Sequence, residues 1–165
     1  MATSPKSGEK TPDQQQLPAQ KAQREPQDAA YARAQDAIAT ARTSDASALT
    51  LSGDDFADLA VLPPDIGSLT ALKNLNLLGT EVSDISALSG LTALSGLSLL
   101  GTPVNDLSPI LPLTQLVDAP KYGGLAFRNT AAARADRRIA EIAGIQDDAK
   151  RATDLCAYLK NVTPT

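Results

Sequence analysis

The chain has no histidine and no tryptophan, and it has a single cysteine, Cys156. Without histidine there is no imidazole base, no serine–histidine–aspartate triad and no imidazole metal ligand. One cysteine cannot form an internal disulfide or a thiolate zinc site. Aromatic residues are scarce as well, with two phenylalanines and three tyrosines. A core built from Leu, Ala, Ile and Val suits thin stacked layers better than one bulky globular centre. No run of about 18 apolar residues exists, which excludes a membrane-spanning helix of the usual length. No apolar run follows the opening MATSPKSGEK either. No secretory leader is therefore expected, and the expected location is cytoplasmic.

Charge is unevenly spread. Residues 1–47 carry six basic and six acidic side chains, residues 48–116 carry seven acidic side chains against Lys73 alone, and residues 117–165 are net +2. The acidic middle would repel phosphate backbones, so nucleic acid is not an expected partner. No strongly basic amphipathic stretch points to a membrane surface.

The motifs of common chemistry are missing too. There is neither a G-x-x-x-x-G-K phosphate loop nor a G-x-G-x-x-G turn. Asp54–Asp55 and Asp147–Asp148 are paired acids, a grouping that can bind a cation or serve acid–base chemistry. A turn for the first pair and a helix cap for the second are the favoured readings. No catalytic, cofactor-binding or metal-binding residue is assigned, and the chain is expected not to be an enzyme.

What is present is an internal repeat. Residues 69–90 read LTALKNLNLLGTEVSDISALSG and residues 91–112 read LTALSGLSLLGTPVNDLSPILP, identical at 12 positions. Within each unit Leu75 and Leu77, or Leu97 and Leu99, alternate as in a short strand. Val82, Ile85 and Leu88 then follow at spacing three, as in a 3₁₀ return. A chain that alternates strand and return must coil, and each coil leaves an apolar edge that the next one buries. Two irregular units flank the regular pair. Leu49 and Leu51 occupy the strand positions upstream, and Leu125 and Phe127 occupy them downstream. Four strands are therefore expected, two regular and two atypical.

The pattern L-x-x-L-x-L-x-x-T-x-V-x-D at Leu72–Asp84, repeated at Leu94–Asp106, resembles the 22-residue leucine-rich repeats of bacterial internalin-type proteins. The resemblance covers about residues 48–130. It implies an α/β fold, namely a short right-handed leucine-rich repeat solenoid with a small parallel sheet on its inner face, and binding of other proteins as the usual role. This chain departs from the family at Thr80 and Thr102, where asparagine is usual. A hydroxyl replaces only part of an amide's hydrogen bonding.

The organisation read from the sequence is a disordered tail over 1–28 and a capping helix over 29–47. Repeats follow over 48–130, then a C-terminal helical cap over 131–160 and a flexible end over 161–165. Within the cap, residues 131–143 read as one helix and 149–160 as another. Ala152, Leu155, Cys156 and Leu159 share a face of the second, with Cys156 as a small buried hydrophobe. Asp84 and Asp106 are expected to be held by turn amides.

If the strand leucines point inward, the alternate residues face out. One outward column is Thr50, Asn76, Ser98 and Ala126; the next is Ser52, Leu78, Leu100 and Arg128. Asn76, Leu78, Ser98, Leu100 and Arg128 are the candidate protein-binding residues. Adjacent exposed leucines suggest a contact site, and burial against the return loop is the plainer alternative. Four strands at ~4.8 Å spacing, about three residues long, offer only about 150–200 Å². A standard interface needs about 800 Å² per partner. Rim loops, the C-terminal helices or a second copy must add to it. The function expected is a non-catalytic protein-interaction module that needs no cofactor, with self-association as a further mode. A secreted bacterial effector using the same repeats is the alternative.

Overall fold

The computed structural model describes residues 18–118 and 124–162, with side chains over 27–117 and 124–162. The long N-terminal helix, α1, spans Pro18–Thr43. Its buried residues are Ala30, Ala34, Ile38 and Ala41, spaced four, four and three apart on one face. Three alanines on that face allow a close approach to what lies beneath. The helix ends where the Ser44 hydroxyl donates to the Thr40 carbonyl (2.8 Å) and Asp45 turns left-handed at φ 49°. α1 begins well before Ala29, inside the segment expected to be a disordered tail. That expectation rested on missing large aliphatics. Residues 18–28 are nevertheless rich in Ala, Gln, Lys, Arg and Glu, which favour helix; Pro26 opposes it, since it brings no amide N–H to the helix interior, and α1 runs through it all the same. Residues 1–17 of the expected tail lie outside the described residues.

Four short strands follow: β1 (Ala48–Thr50), β2 (Asn74–Asn76), β3 (Gly96–Ser98) and β4 (Leu125–Ala126). They form one parallel sheet in the order β1-β2-β3-β4. The register sets Leu49 against Leu75, Leu75 against Leu97 and Leu97 against Leu125. The leucines chosen by alternation are thus true neighbours, although the outer steps are longer than 22 residues. Residues 119–123 of the longer return before β4 lie outside the described residues. The ladder continues past the strand ends, with Leu77 N–H donating to Ser98 O (2.9 Å) and Leu99 N–H to Ala126 O (2.7 Å).

Each strand leaves the sheet in the same way. Gly53, Gly79 and Gly101 have φ of 86°, 71° and 73°, and Asn129 takes the corresponding place after β4 at φ 60°. Asparagine is among the few non-glycine residues that enter this region readily. A buried threonine comes next in three of the units. The hydroxyls of Thr80, Thr102 and Thr130 donate to the carbonyls of Leu77, Leu99 and Phe127 at 3.0, 2.8 and 2.9 Å. These bonds close a turn within the same unit and do not cross to its neighbour. The return segments carry 3₁₀ turns at Pro64–Ser68, Ser86–Gly90 and Ser108–Ile110. Ile66, Leu88 and Ile110 from these turns are buried opposite the sheet leucines. The core is one continuous, mostly aliphatic cluster that runs from Ala30 of the N-terminal helix through the sheet leucines and Phe127 to Leu159 of the C-terminal helices.

A short helix α2 (Gln115–Asp118) precedes β4, and three helices follow it: α3 (Ala131–Ala135), α4 (Arg137–Ala143) and α5 (Asp148–Val162). The single helix expected over 131–143 is two. Asp136 lies between them in extended conformation, and its carboxylate accepts from the N–H groups of Arg138 (2.7 Å) and Ile139 (3.2 Å). A short acidic side chain serves better as an N-cap than within a helix, so the helix breaks there. Asp147 caps α5 by accepting from Lys150 N–H (2.6 Å). α5 continues to Val162, into the segment expected to be a flexible end. No helix among the described residues is long and apolar enough to cross a membrane. The architecture is therefore α/β, a small four-stranded parallel sheet with helices at both ends.

Candidate functional site

The outward columns fall where alternation places them. Register pairs Thr50 with Asn76, Asn76 with Ser98, and Ser98 with Ala126. In the next column Gly79 N–H donates to Leu100 O (2.9 Å) and Gly101 N–H to Arg128 O (3.1 Å). These bonds keep Leu78, Leu100 and Arg128 on adjacent strand ends.

The five candidate residues share this face, but their states differ. Leu78 is 47% exposed, one of three large hydrophobics so open among the described residues. Leu100 is half-buried. Leu100 lines a cleft with Ala143, Gln146 and Asp148, so the α4–α5 junction overhangs the β3–β4 side of the face, and Leu78 is not among the residues that line that cleft. Asn76 turns its Oδ1 back to accept from Leu78 N–H (3.0 Å), which braces the strand end and occupies its acceptor. Ser98 is half-buried. Arg128 is exposed but anchored. Its Nε donates to Ala143 O (2.9 Å) and its Nη2 to Gly144 O (3.2 Å), so it ties β4 to the end of α4.

Beneath the overhang is a cleft of about 260 Å³ whose lining includes Leu100, Ala126, Arg128, Gln146, Asp148 and Arg151. A second hollow of about 230 Å³ lies on the other side of Arg128, toward Asn129, Arg134 and Ala140. Arg128 is thus a cationic ridge between two hollows.

Arg151 was not singled out from the sequence. It is 8% exposed, and its Nε donates to Leu125 O (2.6 Å) and its Nη1 to Ile145 O (2.5 Å), while its Nη2 pairs with Asp148. Leu125 lies on the outer edge strand, so this guanidinium supplies a donor where a fifth strand would otherwise sit. A signal existed in the sequence. Arg151, Leu155 and Leu159 are four apart, which places the arginine on the apolar stripe of α5. An arginine there must be paired or must reach out to water.

The other acidic and polar candidates have structural roles. Asp84 and Asp106 each accept from the N–H two residues on, Ser86 and Ser108, at 2.8 Å. The Ser86 amide, and then its hydroxyl, hold the Asp84 carboxyl below its ordinary range. Asp54 and Asp55 begin a 3₁₀ turn, and Asp55 meets Arg33 of α1 at 4.0 Å. Arg137 and Arg138 both pair with Glu141 on the exposed side of α4. Cys156 is half-buried, not fully buried as its helix face suggested, and burial raises its thiol pKa. No group of three or more Cys, Asp or Glu side chains suited to a metal ion occurs among the described residues. Tyr158 donates to Asp136 Oδ2 (2.6 Å) and so links α5 to the α3–α4 junction.

No protein-family model matches the chain, and no curated protein matches it.

Proposed function

We propose that the chain is a non-catalytic protein-interaction module, built as a short right-handed leucine-rich repeat solenoid of the internalin type. The outer face of its sheet would be the docking surface. The observation that carries this reading is Leu78, 47% exposed in the turn at the end of β2, with half-buried Leu100 at the equivalent place after β3. Full exposure of a leucine forgoes about 1.5–3 kcal/mol of burial, and Leu78, about half open, forgoes a part of that which contact with a partner would recover. The solenoid reading is supported by the two 22-residue units, whose equivalent leucines, Leu75 and Leu97, pair in register. The sheet alone is too small for a standard interface. The overhanging α4–α5 junction adds side walls and two hollows to it, which supports a composite surface of sheet and C-terminal helices.

The test uses the whole chain as bait in an extract of its native cells, beside Leu78→Ser and the Leu78→Ser, Leu100→Ser double variant. Leu78 is exposed, so the single variant should melt like the parent and capture less of any specific partner. Leu100 is half-buried, so the double variant should lose a few degrees as well. Equal capture by all three folded proteins would remove the binding site from this face.

A further inference from the structure

The face of the sheet changes character from one end to the other. Its second outward column runs from Ser52, through Leu78 and Leu100, to Arg128. Residues 48–116 contain seven acidic side chains and one basic one, so a negatively charged partner is repelled over most of this body. The cleft under the α4–α5 junction has the opposite sign. It brings together Arg128 and Arg151 against one carboxylate, Asp148.

The two arginines are not equivalent. Arg151 is buried, each of its three nitrogens donates, and Asp148 balances its charge. Arg128 is exposed and forms no ion pair among the described residues. Its Nε and Nη2 are held by Ala143 and Gly144, which fixes the plane of the guanidinium, and its Nη1 makes no hydrogen bond there. A planar cation with free donors, already immobilised, loses little further entropy when it meets a carboxylate.

We propose that this cleft receives an acidic side chain of a partner protein, carried on a segment whose apolar neighbour sits on Leu78 and Leu100. The inference rests on the docking face described above and specifies what that face selects. Geometry limits the segment. Leu100 and Arg128 lie on adjacent strands, ~4.8 Å apart, and same-face residues of an extended chain lie ~6.6 Å apart. An apolar residue and a Glu or Asp two positions later match that step once the reach of the side chains is included. The repulsive body and the single attractive end also orient the segment, with its acid toward β4.

The absence of tryptophan permits a direct measurement. The probe is the blocked peptide acetyl-Gly-Trp-Ser-Glu-Gly-amide, followed by its own indole fluorescence, with the Glu→Gln peptide as its neutral twin. The unmodified chain should bind the acidic peptide about three- to fivefold more tightly, the size of an exposed charge pair, and added salt should shrink that preference. Arg128→Gln should abolish the preference. Leu78→Ser should weaken both peptides alike. Equal binding of the two peptides to the unmodified chain overturns the proposal without recourse to any variant. So does a preference that survives in folded Arg128→Gln, and so does inorganic phosphate displacing the acidic peptide at equal concentration, which would mark a plain anion site. If the preference is absent but Leu78→Ser still weakens both peptides, the docking face stands and only its acidic selectivity is lost. If neither peptide responds to Leu78→Ser, the docking face itself fails.

Discussion

Arg151→Met tests how the C-terminal helices are held to the sheet. Methionine matches the length of the arginine stem and packs adaptably, so the substitution removes donors and charge more than volume. Two of the lost bonds run to backbone carbonyls, Leu125 at 2.6 Å and Ile145 at 2.5 Å. A hydrogen bond from a charged donor contributes about 1.5–3 kcal/mol. Leu125 has no exposed surface, so its carbonyl would be left without that donor in a dry setting. Against this, a desolvated charge is removed, and replacing a buried ion by a hydrophobe recovers part of the cost. The net loss should be about 3 kcal/mol, or about 6–12 °C in melting temperature for a chain of this size. Asp148→Asn is the control. The Asp148 side chain is 38% exposed and Arg151 keeps both carbonyl partners, so this change should cost at most about 1 kcal/mol. Both variants would be melted by far-ultraviolet circular dichroism and unfolded in urea. An Arg151→Met protein that melts within about 2 °C of the parent would refute the arginine as the tie between α5 and β4.

Three further outcomes are expected. Leu97 is 1% exposed and lies in register between Leu75 and Leu125, so Leu97→Ala should cost about 2–5 kcal/mol in urea unfolding with the strand register kept. Asn129 takes the left-handed place that glycine fills in the other units, so Asn129→Gly should leave the melt nearly unchanged; Gly101→Ala, at φ 73°, should cost about 1–2 kcal/mol. The Tyr158 hydroxyl is the main cause holding the Asp136 carboxyl below its usual range, and the same bond raises the tyrosine. The carboxylate's share of stability is therefore present above the ordinary aspartate pKa and is lost as pH falls through the lower folded value. The tyrosine's share is present below its ordinary pKa and is lost as pH rises through the higher folded one. Melting temperature against pH should fall off less steeply at both extremes in Tyr158→Phe than in the parent.

The candidate site was only partly legible. The columns holding Asn76, Leu78, Ser98, Leu100 and Arg128 followed from strand alternation, a local rule that needs no knowledge of what lies opposite. Their individual states did not follow. Leu78 and Leu100 are identical letters at equivalent places in two nearly identical units, yet one is open and the other half-covered. Leu100 shares a cleft with the α4–α5 junction, which arrives from residues more than 40 positions downstream of it. Alternation placed Asn76 on the outward face but not its bond, in which its Oδ1 accepts from the Leu78 amide. Arg128 closes the end of α4 and flanks two hollows, neither of which strand alternation reveals.

By itself the sequence determined the four strands, their inward leucines and the presence of helices at both ends, because period-two and period-three spacings report local geometry and a 22-residue identity reports repetition. It also determined where Asp84, Asp106 and Asp147 tie their own turns, since each accepts from an amide two or three residues on. Tertiary structure decided the rest. It tied Asp136 to Tyr158 of α5, left Cys156 half-exposed and buried Arg151 against the edge of the sheet. Each of these depends on which surfaces meet across long stretches of chain. Burial and hydrogen-bond pairing at such meetings are properties of two segments together, and neither segment carries them alone.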